Sequence, residues 1–427
     1  MLRKSILITF ALALLFGGAP SAKAQDIPYN RPRSEKLLNG LNVLIWSRAG
    51  TGRVTIRLRV HNGAAYDQSG KEGSFAMLSD ILFPEEGVKE FFKEDLGGGL
   101  EVETTYDYVE VTAEARSDAF LTALETIAPA LMITPIDKET TAKIRDRRIQ
   151  LLKDLARDPG YRARIEAARL LYGEFPYGRP VEGTLESVEG IDFADLIYVR
   201  ERFLTGDNAT LEIIGDVRSD YAYLAARRLM GSWNKSSSDI PATFRLPEVP
   251  PKEPKIVYAD GEPSVRTVAA VESFRRKDPL YHAAEVLAKV LQPRIPGLLV
   301  VNEGFLVKGT LYASLARDGG TEYSPSSGAR EALKKALAGK VSAIEFEAAK
   351  KAYLAEMSKR GSDRLKLDVD TYGLGDVRDE IERIRSLKLA DVQKAADTIA
   401  ARTAVEAVVI SRPAATPEAA TDPKDPS

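Results

Sequence analysis

The sequence contains no cysteine and only two histidines among its 427 residues. Without thiols the chain can form neither a disulfide nor a thiolate metal site, and it has no cysteine nucleophile. His61 and His282 lie in apolar patterns far apart in the sequence. For each of them a structural or surface role is favoured over a role as metal ligand. No Ser-His-Asp set can be nominated either, because no serine is surrounded by an elbow sequence.

The chain also lacks an excess of charge of one sign. It has 60 basic and 62 acidic residues, a formal net charge of −2. Loss of the basic leader described next would make it more acidic. Neither nucleic acid nor an anionic membrane surface is therefore an expected partner.

A single apolar run stands at the start of the sequence, from Ile6 to Phe16. It follows a basic segment with Arg3 and Lys4 and precedes Ala22-Lys23-Ala24. This pattern predicts a secretory signal over residues 1–24. A membrane anchor is the weaker alternative because the run is shorter than the roughly 20 residues of a span. The mature chain is expected to be periplasmic or secreted and to have no membrane span.

Periodicity predicts a first lobe over residues 28–225. Two runs rich in Val, Ile and Leu, 38–50 and 54–66, predict two antiparallel strands. Residues 100–117 predict a hairpin after a sharp turn at Gly97-Gly98-Gly99, which is not a phosphate loop because no Gly-Lys-Ser/Thr follows it. Helices are predicted over 71–83, 120–130, 138–155 and 162–171, and a strand over 209–217.

A Ser- and Pro-rich segment, 234–255, predicts a linker, after which the pattern starts again over 256–411. The second lobe is expected to contain a strand at 265–274, helices at 280–291, 330–339, 345–360 and 389–400, and a strand at 404–410. The tail 412–427 is predicted to be disordered. Strands followed by helices in this grouped order predict an α+β fold of two similar lobes, each an antiparallel sheet packed with helices.

Three long stretches resemble one known family. Residues 59–83 (RVHNGAAYDQSGKEGSFAMLSDILF) resemble its strand, acidic turn and motif helix, and 97–140 resemble its glycine turn, hairpin and next helix. Residues 175–217, beginning FPYG, resemble its His-Pro-Tyr-Gly region and closing strand. In this order they are similar to the pitrilysin/insulinase group of inverted-zincin metallopeptidases, including its processing-protease-like bacterial members. The resemblance extends through 389–400 and covers nearly all of the mature chain.

The motif that this resemblance leads one to expect is missing. Active family members carry H-x-x-E-H on the motif helix, where two histidines hold zinc and the glutamate polarises the bound water. The corresponding positions here are Ala76, Ser79 and Asp80. None of these side chains replaces an imidazole pair, and Ser79 has no partner to make it a base.

The family's third ligand, a glutamate on a later helix, is missing as well. Counting back from Asp158-Pro159 places its position near Gln150 or Leu151. Asp80 with Glu72 or Glu85 is an alternative site for a hard cation, but such carboxylates usually form a solvated face. The sequence therefore predicts no catalytic residue, no metal site and no cofactor.

In two-subunit members of the family, the subunit without metal grips the substrate backbone with an arginine and a tyrosine. Arg294 matches this arginine if Pro293-Arg294-Ile295 stands for the family's S-R-L, but Val307 then falls on the tyrosine. The other frame gives Tyr312 and loses the arginine. Arg294 is thus the one predicted substrate-binding residue, and its alternative is an arginine paired with a surface acid.

The resemblance without the motif implies a catalytically inactive homologue. It is expected to be the non-zinc subunit of a heterodimer with a zinc-bearing paralogue in the periplasm. One alternative is a stand-alone pseudo-enzyme that captures extended peptides by strand addition. A distant second alternative is an active peptidase with different chemistry.

Overall fold

A computed structural model describes residues 29–236 and 253–413. The predicted signal peptide, residues 237–252 of the predicted linker and residues 414–427 of the predicted tail lie outside the described residues. The domain boundaries stay predictions. Elements of the first half of the chain continue to Met230, and the last strand includes Arg412.

The described residues form eleven strands. They are β1 (Arg33–Lys36), β2 (Asn42–Ser47), β3 (Arg53–Val60), β4 (Gly99–Thr104), β5 (Val109–Arg116), β6 (Ala209–Gly215), β7 (Lys255–Asp260), β8 (Ser264–Ser273), β9 (Leu299–Gly304), β10 (Gly309–Asp318) and β11 (Val405–Arg412).

Thirteen α-helices accompany them in the same residues. They are α1 (Ser74–Leu82), α2 (Glu86–Glu94), α3 (Phe120–Met132), α4 (Lys138–Leu155), α5 (Pro159–Tyr172), α6 (Leu185–Gly190), α7 (Phe193–Phe203), α8 (Ser219–Met230), α9 (Tyr281–Leu291), α10 (Ala329–Ala338), α11 (Ala343–Tyr372), α12 (Val377–Arg385) and α13 (Leu389–Ala400).

The strands form two sheets with the same topology. The first has the order β1-β2-β6-β3-β5-β4 and the second β7-β11-β8-β10-β9, so the second repeats the first without β1. Each sheet is antiparallel except for one parallel pair, β2 with β6 and β11 with β7. The predicted α+β fold of two similar lobes is confirmed. The two first predicted strands, β2 and β3, do run in opposite directions, but β6 lies between them.

Predicted helices mostly match the structure, and α4 and α13 have the predicted bounds. The helix predicted to end at residue 360 meets a break in α11, where Gly361 has φ of 82°. A side chain there would be strained, so glycine fits this kink. The helical segment 362–372 after Gly361, the hairpin β9-β10 and helix α12 were not predicted.

Each sheet packs its apolar face on helices of its own lobe and its other face on a helix of the other lobe. In the first sheet Val54, Ile56 and Leu58 of β3 enter the core with α1 and α3. Helix α5, which belongs to the first half of the chain, packs on the second sheet, where Ala167 joins a cluster with Ala270. In the same way, the part of α11 after Gly361 covers the first sheet. Each sheet is therefore covered on one face by a helix from the other half of the chain.

Charged side chains form part of the contact between α11 and the first sheet. Asp368 of α11 is about 2% exposed and accepts hydrogen bonds from Arg59 of β3 at 3.1 Å and from Arg360 at 2.8 Å. Arg276 of the second lobe lies 3.6 Å from the same carboxylate. Arg59 also pairs with Glu110 of β5 at 2.8 Å. These five side chains form an ion cluster that joins the two lobes, and all of them are buried except Arg360, which is 39% exposed.

Candidate functional site

The start of helix α1 is fixed by a buried carboxylate. Asp67 accepts hydrogen bonds from the backbone N–H groups of Gly73 at 2.8 Å and Phe75 at 3.0 Å. These are free donors of the first helical turn, so Asp67 satisfies them. Burial raises the pKa of Asp67 to about 7. Gly73 has φ of 96° and lies against the backbone of Gly183, so a side chain has no room there.

The degenerate motif positions lie on the buried and half-buried faces of α1. Ala76 is buried and supplies no ligand atom from its side chain. The hydroxyl of Ser79 donates to the carbonyl of Phe75 at 2.9 Å and lies 2.6 Å from the hydroxyl of Thr104. The hydroxyl proton is thus held by α1 itself, and no base is positioned to remove it. Asp80 has a side chain that is 37% exposed.

An arginine of α4 faces these positions. One terminal nitrogen of Arg148, Nη2, donates to the carbonyl of Ala76 at 3.0 Å and to the carboxylate of Asp80. The guanidinium therefore bridges the two residues that stand where the family has its zinc-binding histidines. Burial raises the pKa of Asp80, although Arg148 beside it acts in the opposite direction.

The two positions predicted for the third ligand lie on the outer side of α4. Gln150 is exposed and bonds only to Asp154, and Leu151 is 43% exposed, so both point away from α1. The residue of α4 that faces the motif helix is Arg148. Successive helical residues are rotated by about 100°, so residues 150 and 151, two and three positions after Arg148, lie on another side of the helix.

The residues at this position do not fit a zinc ion. The side chains at the motif positions include no imidazole, and the side chain opposite them is a cation that would repel a metal. In residues 29–236 and 253–413, no group of three or more His, Asp or Glu side chains is placed to hold a metal ion. No step of hydrolysis through a metal can be derived from this arrangement.

A free sheet edge lies beside the degenerate motif. Strand β4 is the last strand of the first sheet, and α1 packs against it through the contact of Ser79 with Thr104. The outer backbone groups of an edge strand can pair with an added strand. In the described residues no other strand pairs with this edge.

All N–H groups of Arg294 form hydrogen bonds within the second lobe. Its Nε and Nη2 bond both carboxylate oxygens of Glu345 at 2.7 and 3.0 Å. Its other N–H groups donate to the carbonyls of Ala336, Gly339 and Lys340 at 2.7 to 3.0 Å. Arg294 thus closes the end of α10 and binds the first turn of α11. These contacts match the alternative of an arginine paired with an acid. A substrate contact by Arg294 stays a prediction, and it would require one of these hydrogen bonds to break.

The neighbouring position, Val307, is part of a lobe contact that sequence reasoning missed. The hydroxyl of Tyr177 accepts the backbone N–H of Val307 at 3.1 Å and donates to Asp107 at 2.9 Å. Asp107 also accepts the N–H of Leu306 at 2.9 Å. Tyr177, in the segment that resembles the His-Pro-Tyr-Gly region, therefore anchors the β9-β10 turn on the first lobe. Tyr312 is buried against Arg164, whose guanidinium lies 4.1 Å from its ring.

Both histidines are held by the chain itself. His61 lies 3.0 Å from the hydroxyl of Thr210 and 3.1 Å from that of Thr371, which links β6 to α11. His282 on α9 is 1% exposed and lies 2.7 Å from the hydroxyl of Tyr353 and 3.0 Å from Glu380. Their ring nitrogens are therefore engaged in packing contacts.

His282 should make stability fall in mild acid. Burial lowers its pKa to about 4, against an ordinary value of about 6.5 in the unfolded chain. Between these values the unfolded chain binds the extra proton, so this contribution to stability is complete above about pH 6.5 and is lost as the pH falls toward 4. Urea unfolding at pH 7 and pH 5 should show that wild type loses about 2 kcal/mol more than His282→Gln over this interval. An equal loss in both proteins would contradict the assignment.

A groove of about 910 Å³ lies elsewhere, between α9, the loop before β9 and α11, with Ile295, Leu299 and Ile344 in its wall. It lies in the other lobe from the degenerate motif.

Among the helices that the structure describes, none has the length and apolarity needed to cross a membrane.

Comparisons with known proteins agree with this arrangement. Residues 190–339 match the family model described as the peptidase M16 inactive domain. Over 204 residues the chain is 22% identical to an uncharacterized zinc protease of Rickettsia bellii, which covers 46% of this chain and 49% of that protein. The match thus spans about half the length of this curated relative.

Solved structures share the fold over most of the chain. A protease from Helicobacter pylori superposes with a TM-score of 0.78 at 16% identity, covering 88% of this chain and 99% of that one. A peptidase M16 inactive domain from Pseudomonas fluorescens gives 0.74 at 16% identity, covering 90% and 100%. The periplasmic protease PqqL from Escherichia coli gives 0.67 at 14% identity, covering 90% of this chain but 48% of that one. With the repeated lobes, the family model over residues 190–339 supports membership of the pitrilysin/insulinase (M16) family, and the solved structures show the same fold. The motif helix of this chain has no H-x-x-E-H.

Proposed function

We propose that this chain is a catalytically inactive family member that acts in the periplasm as the non-zinc subunit beside a zinc-bearing paralogue. The contact of Arg148 with Ala76 and Asp80 carries the proposal, because a guanidinium lies where the family's metal would need ligands. The fold around it is complete, with two closed cores and a buried junction between the lobes. Such a chain retains surface and shape without the chemistry.

The match to about half of the longer protein PqqL supports a role for this chain as one half of a larger unit. PqqL is a periplasmic protease, and this chain matches 48% of its length. A single chain of that length thus has room for a second unit of similar size, which a separate subunit would supply here. The predicted signal over residues 1–24 favours the same compartment.

The free edge of β4 supports the second candidate function, a stand-alone periplasmic binder of extended peptides. A peptide would add as a strand beside Thr104 and be released uncut. This function needs no partner. The two candidates therefore differ in whether a zinc-bearing paralogue changes what the chain does.

Metal analysis and mixing test the proposal. After extensive dialysis, residues 25–427 should contain no stoichiometric zinc and should cleave no peptide alone. Mixed with a zinc-bearing paralogue, they should elute as a heterodimer that buries at least roughly 1,000 Å². The peptidase rate should rise above that of the paralogue with an unrelated protein at equal concentration.

Two results would overturn it in different ways. About one zinc per chain, lost on chelation together with peptidase activity, would show an active enzyme. No association at micromolar concentration and no gain in rate would leave the stand-alone peptide binder as the function that the structure supports.

A further inference from the structure

Arg148 has hydrogen-bonding capacity that the fold does not use. Its side chain is 9% exposed, and its hydrogen bonds to Ala76 and Asp80 are both made by Nη2. Nε is buried without a hydrogen-bond partner in the described residues. Nη1 also has no hydrogen-bond partner in the described residues. Unlike Nε it is not fully buried, so it is accessible to solvent. A guanidinium has five N–H donors, and an arginine this deeply buried usually has them satisfied.

Three cationic side chains lie near Asp80. Arg148, Arg147 and Lys89 all act on this one carboxylate and favour its charged form. Lys89 shares its charge with Glu86 at 3.3 Å, while Arg147 donates to the backbone carbonyl of Pro84 at 3.0 Å. A carbonyl carries no net charge. Among these five side chains, three positive charges stand against the two negative charges of Asp80 and Glu86, and an anion would balance the difference.

The site is open to solvent through Asp80, whose side chain is 37% exposed. It also lies beside the free edge of β4, since Ser79, the residue before Asp80, contacts Thr104 at the end of that strand. A peptide placed along this edge would pass the guanidinium.

We propose that Arg148 binds a carboxylate of a peptide, so that the altered motif site recognises a peptide's C-terminus or an acidic side chain. This inference rests on the proposed function only in assuming that the cleft receives peptides. A zinc ion polarises a neutral peptide carbonyl, whereas a guanidinium with free N–H groups pairs best with a full carboxylate. Asp80 then acts as an internal competitor, because it holds Nη2 when no peptide is bound.

Three labelled peptides of one extended sequence separate the sources of the carboxylate. The first has neutral side chains and a free C-terminus, the second is the same with an amidated C-terminus, and the third is amidated and carries one Glu. In fluorescence anisotropy, at least one of the two carboxylate peptides should bind about tenfold or more tightly than the neutral amidated peptide. Which one does so identifies the source.

Two substitutions at the site should act in opposite directions. Arg148→Met should remove the preference for carboxylate peptides. Asp80→Asn keeps the size of the side chain and removes the competing charge, so it should increase the affinity for those peptides severalfold. A purely structural ion pair would not produce this gain. Arg145→Met is the matched control, because Arg145 on the same helix makes one exposed contact, to the carbonyl of Glu189 at 3.4 Å; it should leave the preference unchanged.

The outcomes separate this inference from the proposed function. Equal binding of all three peptides, a preference that persists in Arg148→Met, or weaker binding by folded Asp80→Asn would overturn the carboxylate site and leave peptide binding intact. Binding of none of the peptides would overturn both the carboxylate site and the stand-alone binder. The subunit role would still be judged by the rate gain on mixing.

Discussion

Asp368→Ala should lower the free energy of unfolding by about 3–5 kcal/mol, the usual cost of removing one partner from a buried ion pair. The Asp368 carboxylate is the shared acceptor of Arg59, Arg276 and Arg360. Its removal would leave three guanidinium groups at the lobe junction without that counterion. Burial opposes ionisation of Asp368, yet the three arginines lower its pKa below the ordinary value, so the charged form is present at neutral pH.

Urea unfolding at pH 7, followed by circular dichroism, measures this loss. Asp220→Ala is the matched control, because Asp220 also pairs with an arginine, Arg33, but its side chain is 91% exposed. An exposed pair contributes little, so the control should change stability by less than about 1 kcal/mol. If Asp368→Ala cost no more than the control, the buried cluster would not hold the lobes together.

This cluster also shows what the sequence cannot reveal about the fold. Strand β3 alternates apolar and basic residues, which indicates one core face and one solvent face. The apolar half of that interpretation holds, since Ile56 and Leu58 are buried. Arg59 is equally buried, at 1% exposed, because α11 from the other lobe covers the second face. Only the tertiary contact distinguishes a solvated arginine from a buried one.

Local elements were predictable for the converse reason. Helix α4 begins where Asp137 accepts the N–H of Thr140, a capping interaction between near neighbours in sequence, and its bounds were predicted correctly. The insertion of β6 between β2 and β3 depends on a strand more than 140 residues away. No local pattern specifies that neighbour. Sequence reasoning was therefore reliable for helix bounds and fold class and unreliable for which element covers which sheet.

In the candidate site, too, local features could be predicted and tertiary contacts could not. The altered residues Ala76, Ser79 and Asp80 could be identified from the resemblance of residues 59–83 to the family's motif helix. The role of Arg148 could not, because it depends on how α4 is rotated about its axis against α1. The signal available in the sequence was the helical spacing of Thr141, Ile144, Arg148 and Leu152, which places them on one face of α4; the structure shows that this face is buried. An arginine in an otherwise apolar helical stripe indicates a buried partner.

The position of Arg148 changes what is needed to rebuild a zinc site. The triple variant Ala76→His, Ser79→Glu, Asp80→His should bind no zinc tightly, since it supplies two ligands and leaves a guanidinium facing them. Adding Arg148→Glu removes that cation and supplies a third ligand from the helix that contacts Ala76 and Asp80. A catalytic zinc site usually takes three protein ligands.

The quadruple variant should therefore bind zinc at least about 100-fold more tightly than the triple variant, because loss of even an outer-shell partner costs 10–100-fold in metal affinity. Competition with a chromophoric chelator at pH 7.5 measures both constants. The matched control carries Leu151→Glu in the triple background and keeps Arg148; since residue 151 points to solvent, it should bind no better than the triple variant. Equal affinity in the quadruple variant and this control would show that Arg148 does not occupy the ligand position, and it would remove the observation on which the inactive role rests.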